Sequence, residues 1–296
     1  MPVWKGVMSA IVTPLRDGGN DIDPEAVRDY CDFIIEKGVH GIFALGTTGE
    51  GPLLSMTERK SIAEAIVTHV NGRVTVVIQT GCMRAEQTIE LTKHSRDIGA
   101  DAAAIVLPYY FELDEEAIFQ HFMRIAHAVP DFPLFIYNIP QCTGNNLTPN
   151  LFKRILEGIR TIVGVKTSND DIFQIQDYLR IAGDRCSVFI GHDGLILSAL
   201  CAGVNGIVSG NASAFPEPFV GIYQAFERGE AQEARKYQRV IDKLRTVLEG
   251  GGTAAFKTAL DLTGIKVGGV REPHRNLSAE EVAKLRESLR EMGLVR

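Results

Sequence analysis

Short apolar runs alternate with amphipathic segments along the first three-quarters of the chain. These runs are rich in β-branched residues and are apolar at successive positions, which suits parallel strands buried on both faces. A helical pattern follows each run, so the alternation predicts an α/β protein of eight strand–helix units. The eight runs are Gly6–Pro14, Gly41–Leu45, Val74–Thr80, Ala102–Leu107, Pro133–Tyr137, Ile162–Lys166, Ser187–Ile190 and Gly206–Ser209.

Helix-start signals support this division. Asp23-Pro24 and Thr148-Pro149 each place a capping residue before a proline, and Ser55 with Glu58 has the spacing of a capping box. Eight such units over roughly 220 residues fit a (β/α)8 TIM barrel. A doubly wound sheet would more often carry a glycine-rich fingerprint after its first strand, and Val12–Leu15 contains none.

The rest of the chain is helical in pattern. Three further helices are predicted over Ala231–Leu248, Thr253–Leu262 and Ser278–Met292. We therefore expect a barrel over residues 1–228 and a C-terminal helical extension over residues 229–296, packed on the barrel as one structural unit.

Composition excludes several classes of function. The net charge of -6 comes without a basic stripe, which argues against nucleic-acid binding. No apolar run approaches the ~18 residues of a membrane span, and the N-terminus lacks the apolar stretch of a secretory signal. The seven histidines show no metal-ligand spacing. The odd set of cysteines predicts reduced thiols and a cytoplasmic location; they are Cys31, Cys82, Cys142, Cys186 and Cys201.

Lys166, at the end of the sixth run, constrains function most. Burial disfavours the ammonium form of a lysine, and the neutral amine condenses with carbonyls to form a Schiff base. A strand-end lysine also reaches solvent or pairs with a carboxylate, so position alone leaves both interpretations open. Tyr137 ends the neighbouring run, where a barrel places its active site. Its hydroxyl there suits a proton relay, although a packed tyrosine with a satisfied hydroxyl is commoner.

A turn between glycines, Gly46-Thr47-Thr48-Gly49-Glu50, follows the second run. Its hydroxyls and N–H groups suit an anion such as a carboxylate, and equally suit local capping. Glu50 is better explained as a structural hydrogen-bonding group than as a base. His192-Asp193 either touches substrate hydroxyls or stabilises its loop. The lysine, the tyrosine and the hydroxyl turn together describe a metal-independent site for a 2-oxo acid.

The chain resembles the dihydrodipicolinate synthase / N-acetylneuraminate lyase superfamily of class I Schiff-base aldolases over nearly its whole length. The motifs that carry the resemblance are Gly46-Thr47-Thr48-Gly49-Glu50, Tyr137-Asn138-Ile139-Pro140 with Thr143-Gly144, and Gly164-Val165-Lys166. The resemblance implies that Lys166 forms an imine with pyruvate or another 2-oxo acid and that Tyr137 relays protons. It implies that Thr47 joins this relay and holds the carboxylate together with Thr48.

The resemblance also implies that Tyr110 completes the relay across a tight dimer contact. A homo-oligomer follows, usually a dimer of dimers, that is, a homotetramer. The implied chemistry needs no cofactor and no metal, because the covalent group is the lysine itself. We expect substrate contacts from Thr48, Gly46, Val208, Gly191 and Asp193.

The departures from the family pattern concern the substrate. In dihydrodipicolinate synthases an arginine follows the Tyr-Asn-x-Pro motif by two residues and binds the carboxylate of the aldehyde substrate; here Cys142 stands there. A thiol gives no bidentate recognition, and losing such a contact costs ~1.5–3 kcal/mol. The histidines and the acidic residue of the family's lysine-feedback site are absent. The matching region carries Met56, Arg59, Met83 and Gln87.

Two further comparisons with family patterns bear on the substrate. Sialic acid lyases usually carry serine at the position of Thr47 and an acidic residue at that of Gly194, and this chain has neither. The run Pro140–Gly144 is closer to members that act on 2-keto-3-deoxy sugar acids, in which the arginine position is also small or apolar. Thr167 after the lysine is less usual and leaves the substrate open.

We therefore predict a Schiff-base-forming lyase that acts on pyruvate or a 2-oxo acid of the 2-keto-3-deoxy sugar acid type, by reversible aldol cleavage or dehydration. Its partners are then a small 2-oxo acid and an aldehyde, with no nucleic acid and no membrane. One alternative is a 4-hydroxy-tetrahydrodipicolinate synthase that condenses pyruvate with aspartate semialdehyde, with sialic acid lyase as a weaker variant. A second alternative is a catalytically inactive barrel that binds 2-oxo acids.

Overall fold

The computed structural model describes residues 4–295; residues 1–3 and 296, the outer ends of the two predicted units, lie outside the described residues. Eight parallel strands form a closed barrel in chain order, and the first strand pairs with both the second and the last. All eight predicted strands are confirmed, with ends shifted by a few residues at most. The strands are β1 (Gly6–Ala10), β4 (Gly41–Ala44), β5 (Thr75–Gln79), β6 (Ala102–Val106), β7 (Leu134–Asn138), β8 (Ile162–Thr167), β9 (Ser187–Ile190) and β10 (Gly206–Ser209).

The apolar run that begins at Gly6 is longer than its strand. After β1 the chain turns into a small antiparallel hairpin of β2 (Leu15–Arg16) and β3 (Asp21–Ile22), which the sequence pattern did not predict. Val12, Thr13 and Pro14, which were predicted to end the strand, connect β1 to this hairpin and are buried there.

Helices cover the outside of the barrel and form the C-terminal part. The Ser55–Glu58 capping box is confirmed, and Thr148 accepts the Leu151 N–H at the start of its helix. The helices are α1 (Ala26–Glu36), α2 (Met56–Val70), α3 (Ala85–Asp97), α4 (Glu115–Ala128), α5 (Pro140–Thr143), α6 (Pro149–Gly158), α7 (Ile172–Ala182), α8 (Ile196–Ala202), α9 (Glu217–Glu227), α10 (Ala231–Leu248), α11 (Gly252–Thr263) and α12 (Ala279–Glu291). No helix within residues 4–295 is long and apolar enough to cross a bilayer.

Two layers of apolar side chains explain why the strands are apolar on both faces. One layer fills the space between the strands and the surrounding helices. The other fills the barrel interior, where Met8, Phe43, Phe135, Tyr137 and Phe189 meet. Because each strand lies between these layers, successive side chains are all removed from water.

A bulge in β8 decides which way its last residues point. Leu134 and Phe135 are consecutive on β7, but their partners Ile162 and Gly164 on β8 are two residues apart, so Val163 is the extra residue. Such a bulge shifts the facing of every residue that follows it. Lys166 therefore points into the barrel.

Helix α10 lies against α9, and α12 lies against α10 and α11. Beyond α11 the chain returns to the β2–β3 hairpin. The Leu15 N–H donates to the Val267 carbonyl at 2.9 Å, and Arg271 Nε donates to the Gly19 carbonyl at 2.6 Å. The division into two units at residues 228 and 229 stays a prediction.

Candidate active site

Lys166 lies among aromatic rings at the carboxyl end of β8. Its side chain is 5% exposed, and Nζ lies 4.0 Å from the ring centroid of Tyr137 and 4.5 Å from that of Phe43. No carboxylate whose side chain the structure describes comes within ion-pair distance of this amine. The strand-end lysine is therefore neither a surface group nor half of a structural salt bridge.

Tyr137 links this lysine to the threonine turn. It pairs with Lys166 in the register of β7 and β8, and it is 2% exposed. Its ring meets that of Phe43 edge-on at 5.6 Å, and its hydroxyl lies 3.3 Å from Thr47 Oγ1. The Tyr137 side chain thus contacts the lysine amine through its ring and the threonine hydroxyl through its own hydroxyl.

The turn that carries Thr47 and Thr48 is tightly braced. Thr13 Oγ1 donates to the Gly49 carbonyl at 2.6 Å, and the Gly51 N–H donates to the Gly46 carbonyl at 3.1 Å. The side chain of Thr47 remains exposed while the glycines around it are buried. The turn therefore offers its hydroxyls to the barrel mouth from a fixed backbone.

Gly191 gives Lys166 the room it occupies. A side-chain carbon at residue 191 would lie 3.0 Å from Lys166 Cε and 2.5 Å from Ser168 Oγ. Ser168 Oγ makes no hydrogen bond within the described part of the chain, so this hydroxyl is available beside the lysine. The sequence pattern does not single out Ser168, although its spacing of two residues from Lys166 places it on the same face of the chain.

Two other predicted contacts have different surroundings. Val208 is buried in the inner layer of the barrel and pairs with Met8. Asp193 Oδ2 accepts hydrogen bonds from Ser209 Oγ and Asn211 Nδ2, both at 2.7 Å. That is the loop-stabilising arrangement that the sequence left open for Asp193; a contact with substrate stays a prediction for both residues.

Tyr110 lies apart from this group. It is 83% exposed, its φ of 78° is in the left-handed region, and its ring packs edge-on against that of Phe111 at 4.9 Å. Its hydroxyl has no hydrogen-bond partner among the described residues of this chain. A single copy therefore does not bring Tyr110 into contact with Tyr137 or Thr47.

Cys142 follows the tyrosine motif on α5 and is exposed. Partial burial raises the pKa of the Cys142 thiol, and the positive charge of Lys166 acts in the opposite direction. The thiol is therefore neutral at physiological pH. Within the described residues, no group of three or more His, Cys, Asp or Glu side chains is placed to hold a metal ion.

Comparison with known proteins gives a consistent result. The model of the dihydrodipicolinate synthetase family matches residues 3–292. A 4-hydroxy-tetrahydrodipicolinate synthase of Methanococcus aeolicus is 34% identical over 98% of this chain and 100% of its own. A catalytic-lysine mutant of the Ruminococcus gnavus sialic acid aldolase superposes with a TM-score of 0.93 at 31% identity, over 97% of this chain and 95% of its own. YagE, an Escherichia coli K12 prophage protein solved with pyruvate, gives a TM-score of 0.93 at 29% identity, over 99% of this chain and 100% of its own.

Proposed function

This chain belongs to the dihydrodipicolinate synthetase family and is a carbon–carbon lyase of the class I aldolase type; from that premise we propose that Lys166 forms an imine with a 2-oxo acid of the 2-keto-3-deoxy sugar acid type. One observation carries the proposal. The Lys166 amine is buried, with no carboxylate among the described side chains at ion-pair distance, on the ring of a tyrosine whose hydroxyl contacts Thr47. A nucleophilic amine, a proton carrier and a carboxylate-binding turn are the parts that this chemistry needs.

The proposed reaction begins at the substrate carboxylate, which binds at the hydroxyls and N–H groups of the Thr47–Thr48 turn. The Lys166 amine attacks the 2-oxo carbon, and loss of water from the resulting carbinolamine leaves an iminium. Tyr137 carries the protons that these two steps exchange, with Thr47 as its hydrogen-bonded neighbour.

Cleavage then uses the iminium as an electron sink. A proton leaves the hydroxyl on carbon four, the bond between carbons three and four breaks, and its electron pair forms an enamine. Carbon four departs as an aldehyde. Protonation of the enamine at carbon three and hydrolysis of the imine release pyruvate and restore the Lys166 amine. In the dehydration variant carbon three of the same iminium loses a proton to give an enamine, whose electron pair expels the hydroxyl of carbon four, and this hydroxyl leaves with a proton as water.

Cys142 supports a sugar acid over aspartate semialdehyde. Its neutral thiol occupies the position after the tyrosine motif at which a synthase would need a cation for the second carboxylate. Replacing that charge-assisted contact by a thiol costs ~1.5–3 kcal/mol of substrate binding. A polyhydroxylated aldehyde fragment does not need such a cation, and the Ser168 hydroxyl is available to hydrogen-bond to it.

The test is to trap the imine. The protein is incubated with pyruvate and borohydride, and intact mass and peptide mapping then locate the adduct. Lys166→Met is the site variant. Lys93→Met, on the exposed surface of α3, is the matched control. We expect an adduct on Lys166 in the parent and in the Lys93→Met protein, and no adduct in the Lys166→Met protein. A folded parent that forms no adduct contradicts the proposed chemistry. Turnover of a 2-keto-3-deoxy sugar acid, compared with pyruvate plus aspartate semialdehyde and with N-acetylneuraminate, then identifies the substrate.

We also propose that a second copy of the chain completes the site, in a dimer of dimers. The exposed pair Tyr110 and Phe111, with the exposed side chain of Met83, supports this because large apolar groups of this kind gather where proteins associate. A cytoplasmic location is part of the same proposal, supported by five cysteines that are all free thiols. Sedimentation of the parent and of a Tyr110→Phe variant, with kinetics of both, tests the assembly and the role of the hydroxyl separately.

A further inference from the structure

A second buried lysine lies behind the threonine turn. Lys257, on α11, is 2% exposed; its Nζ lies 3.4 Å from Glu50 Oε1 and donates to the Gly269 carbonyl at 2.6 Å. Burial lowers the pKa of Lys257 to about 8, and the charge of Glu50 acts in the opposite direction. The two charged groups are thus held together out of water, and the proposed reaction uses neither of them.

Glu50 is the last residue of the turn and is tied to the C-terminal part of the chain. Its Oε2 accepts the Arg271 N–H at 3.1 Å, while its own N–H donates to the Thr47 carbonyl at 3.1 Å. Its φ of 56° is in the left-handed region, which a non-glycine residue adopts only when its surroundings hold it there. The carboxylate therefore anchors a strained backbone position three residues from Thr47.

Phe256, which precedes Lys257 on α11, lies near the other side of the Thr47–Thr48 turn. A side-chain carbon at Gly210 would lie 2.8 Å from Thr48 Oγ1 and 3.4 Å from the ring of Phe256. Helix α11 therefore borders the turn at two places, through the ion pair at Glu50 and through the Phe256 ring near Thr48.

A buried ion pair is poor evidence of stability, because the cost of removing two charges from water consumes most of their attraction. An apolar pair of the same volume often stabilises a fold equally well. In some proteins a buried pair of opposite charges also fixes the relative position of the two segments that carry it. Here those segments are the end of the threonine turn and α11.

We propose that Glu50 and Lys257 are positioning residues that hold the Thr47–Thr48 turn in the geometry that binds the substrate carboxylate. The inference rests on the proposed function, since it assigns the turn that role. A displacement of the turn by about 1 Å would weaken the reaction by about 10- to 100-fold. The half-saturating concentration of the 2-oxo acid should rise, because the substitutions leave Lys166, Tyr137 and the contacts between them unchanged.

The experiment compares Glu50→Gln, Lys257→Met and the double variant with the parent. Imine trapping at increasing pyruvate concentrations gives the half-saturating concentration, and urea unfolding gives the midpoint of each protein. Ile66→Val, a fully buried substitution on α2 away from the turn, is the control for a general loss of stability. We expect both single variants to need about 10-fold or more pyruvate and to unfold at lower urea. The double variant, which leaves no unpaired buried charge, recovers much of the midpoint and still needs the higher concentration.

The outcomes separate the inference from the proposed function. A parent without an adduct on Lys166 removes the premise and with it the inference. A parent with the adduct, and single variants with the parent half-saturating concentration, overturns the positioning role alone. The positioning role is also overturned if the double variant regains both the parent urea midpoint and the parent half-saturating concentration, because the pair would then act only on stability. Persistence of the defect in a double variant of near-parent stability supports it.

Discussion

Substitution of Tyr137 by phenylalanine removes one oxygen from the centre of the site and leaves its packing intact. The ring would keep its position 4.0 Å from Lys166 Nζ and its edge-on contact with Phe43 at 5.6 Å. The contact that disappears is that of the hydroxyl with Thr47 Oγ1 at 3.3 Å. The variant therefore tests proton relay separately from the shape of the pocket.

The expected effects on stability and on rate differ in size. Loss of one hydrogen bond of this length changes the free energy of unfolding by about 0.5–1.5 kcal/mol. Loss of a positioned proton carrier lowers the rate by about 10²–10⁴-fold, which corresponds to about 3–5.5 kcal/mol of barrier. The variant is thus expected to remain folded while its turnover falls by at least two orders of magnitude.

Steady-state turnover of the best 2-oxo acid, together with the rate of borohydride-trapped adduct formation, measures this effect. Both rates are expected to fall in Tyr137→Phe. Tyr30→Phe is the matched control: its buried hydroxyl donates to the Ser213 carbonyl at 3.0 Å and lies outside the site, so it should affect unfolding alone. A Tyr137→Phe protein with the parent kcat would refute the relay, and Lys166 would then have to exchange protons with water or with another group.

Three further substitutions test other parts of the site and the fold. Gly191→Ala puts a carbon 3.0 Å from Lys166 Cε and should slow adduct formation by about 10-fold or more. Gly194→Ala, whose new carbon would lie 3.3 Å from its nearest atom, on His192, should leave the rate unchanged. Equal rates of adduct formation in the two variants would contradict this prediction. Cys142→Arg should lower the KM for aspartate semialdehyde by about 10-fold and weaken sugar-acid turnover; an unchanged KM would separate this position from substrate choice. Burial lowers the pKa of His121 from 6.5 to about 4. As the pH falls, His121 therefore takes up a proton in the unfolded chain before it does so in the folded protein. The free energy of unfolding should fall as the pH drops from 6.5 toward 4. The loss is at most about 3 kcal/mol, and urea unfolding of His121→Leu should lack it; a parent stability flat over this range would contradict the assignment.

The strands and the main residues of the site were predictable because their signals are local. Runs of β-branched residues at regular spacing define a parallel barrel, and a lysine at the end of such a run stands out in composition alone. The inward direction of Lys166 was not predictable in the same way. Simple alternation from the outward-facing Ile162 would also turn Lys166 outward, and the extra residue Val163 reverses it.

Contacts between strands that are not neighbours left no trace in the sequence. Phe43 lies on β4 and Tyr137 on β7, with two strands between them, and they meet only because the barrel closes. Phe43 therefore carries no signal of its role beside Lys166. The same holds for Lys257, which is more than 200 positions from Glu50 in the sequence.

The threonine turn shows why such distant contacts matter for function. Leu45 and Glu50 bracket it with left-handed backbone, and each costs about 1–2 kcal/mol relative to an ordinary conformation. A short loop with this cost keeps one geometry only when its surroundings supply compensating contacts. Here these come from Thr13 in the segment after β1 and from Lys257 and Arg271 in the C-terminal part of the chain. Because the contacts converge on the turn from both ends of the sequence, the carboxylate site should form only once the C-terminal helices have packed on the barrel.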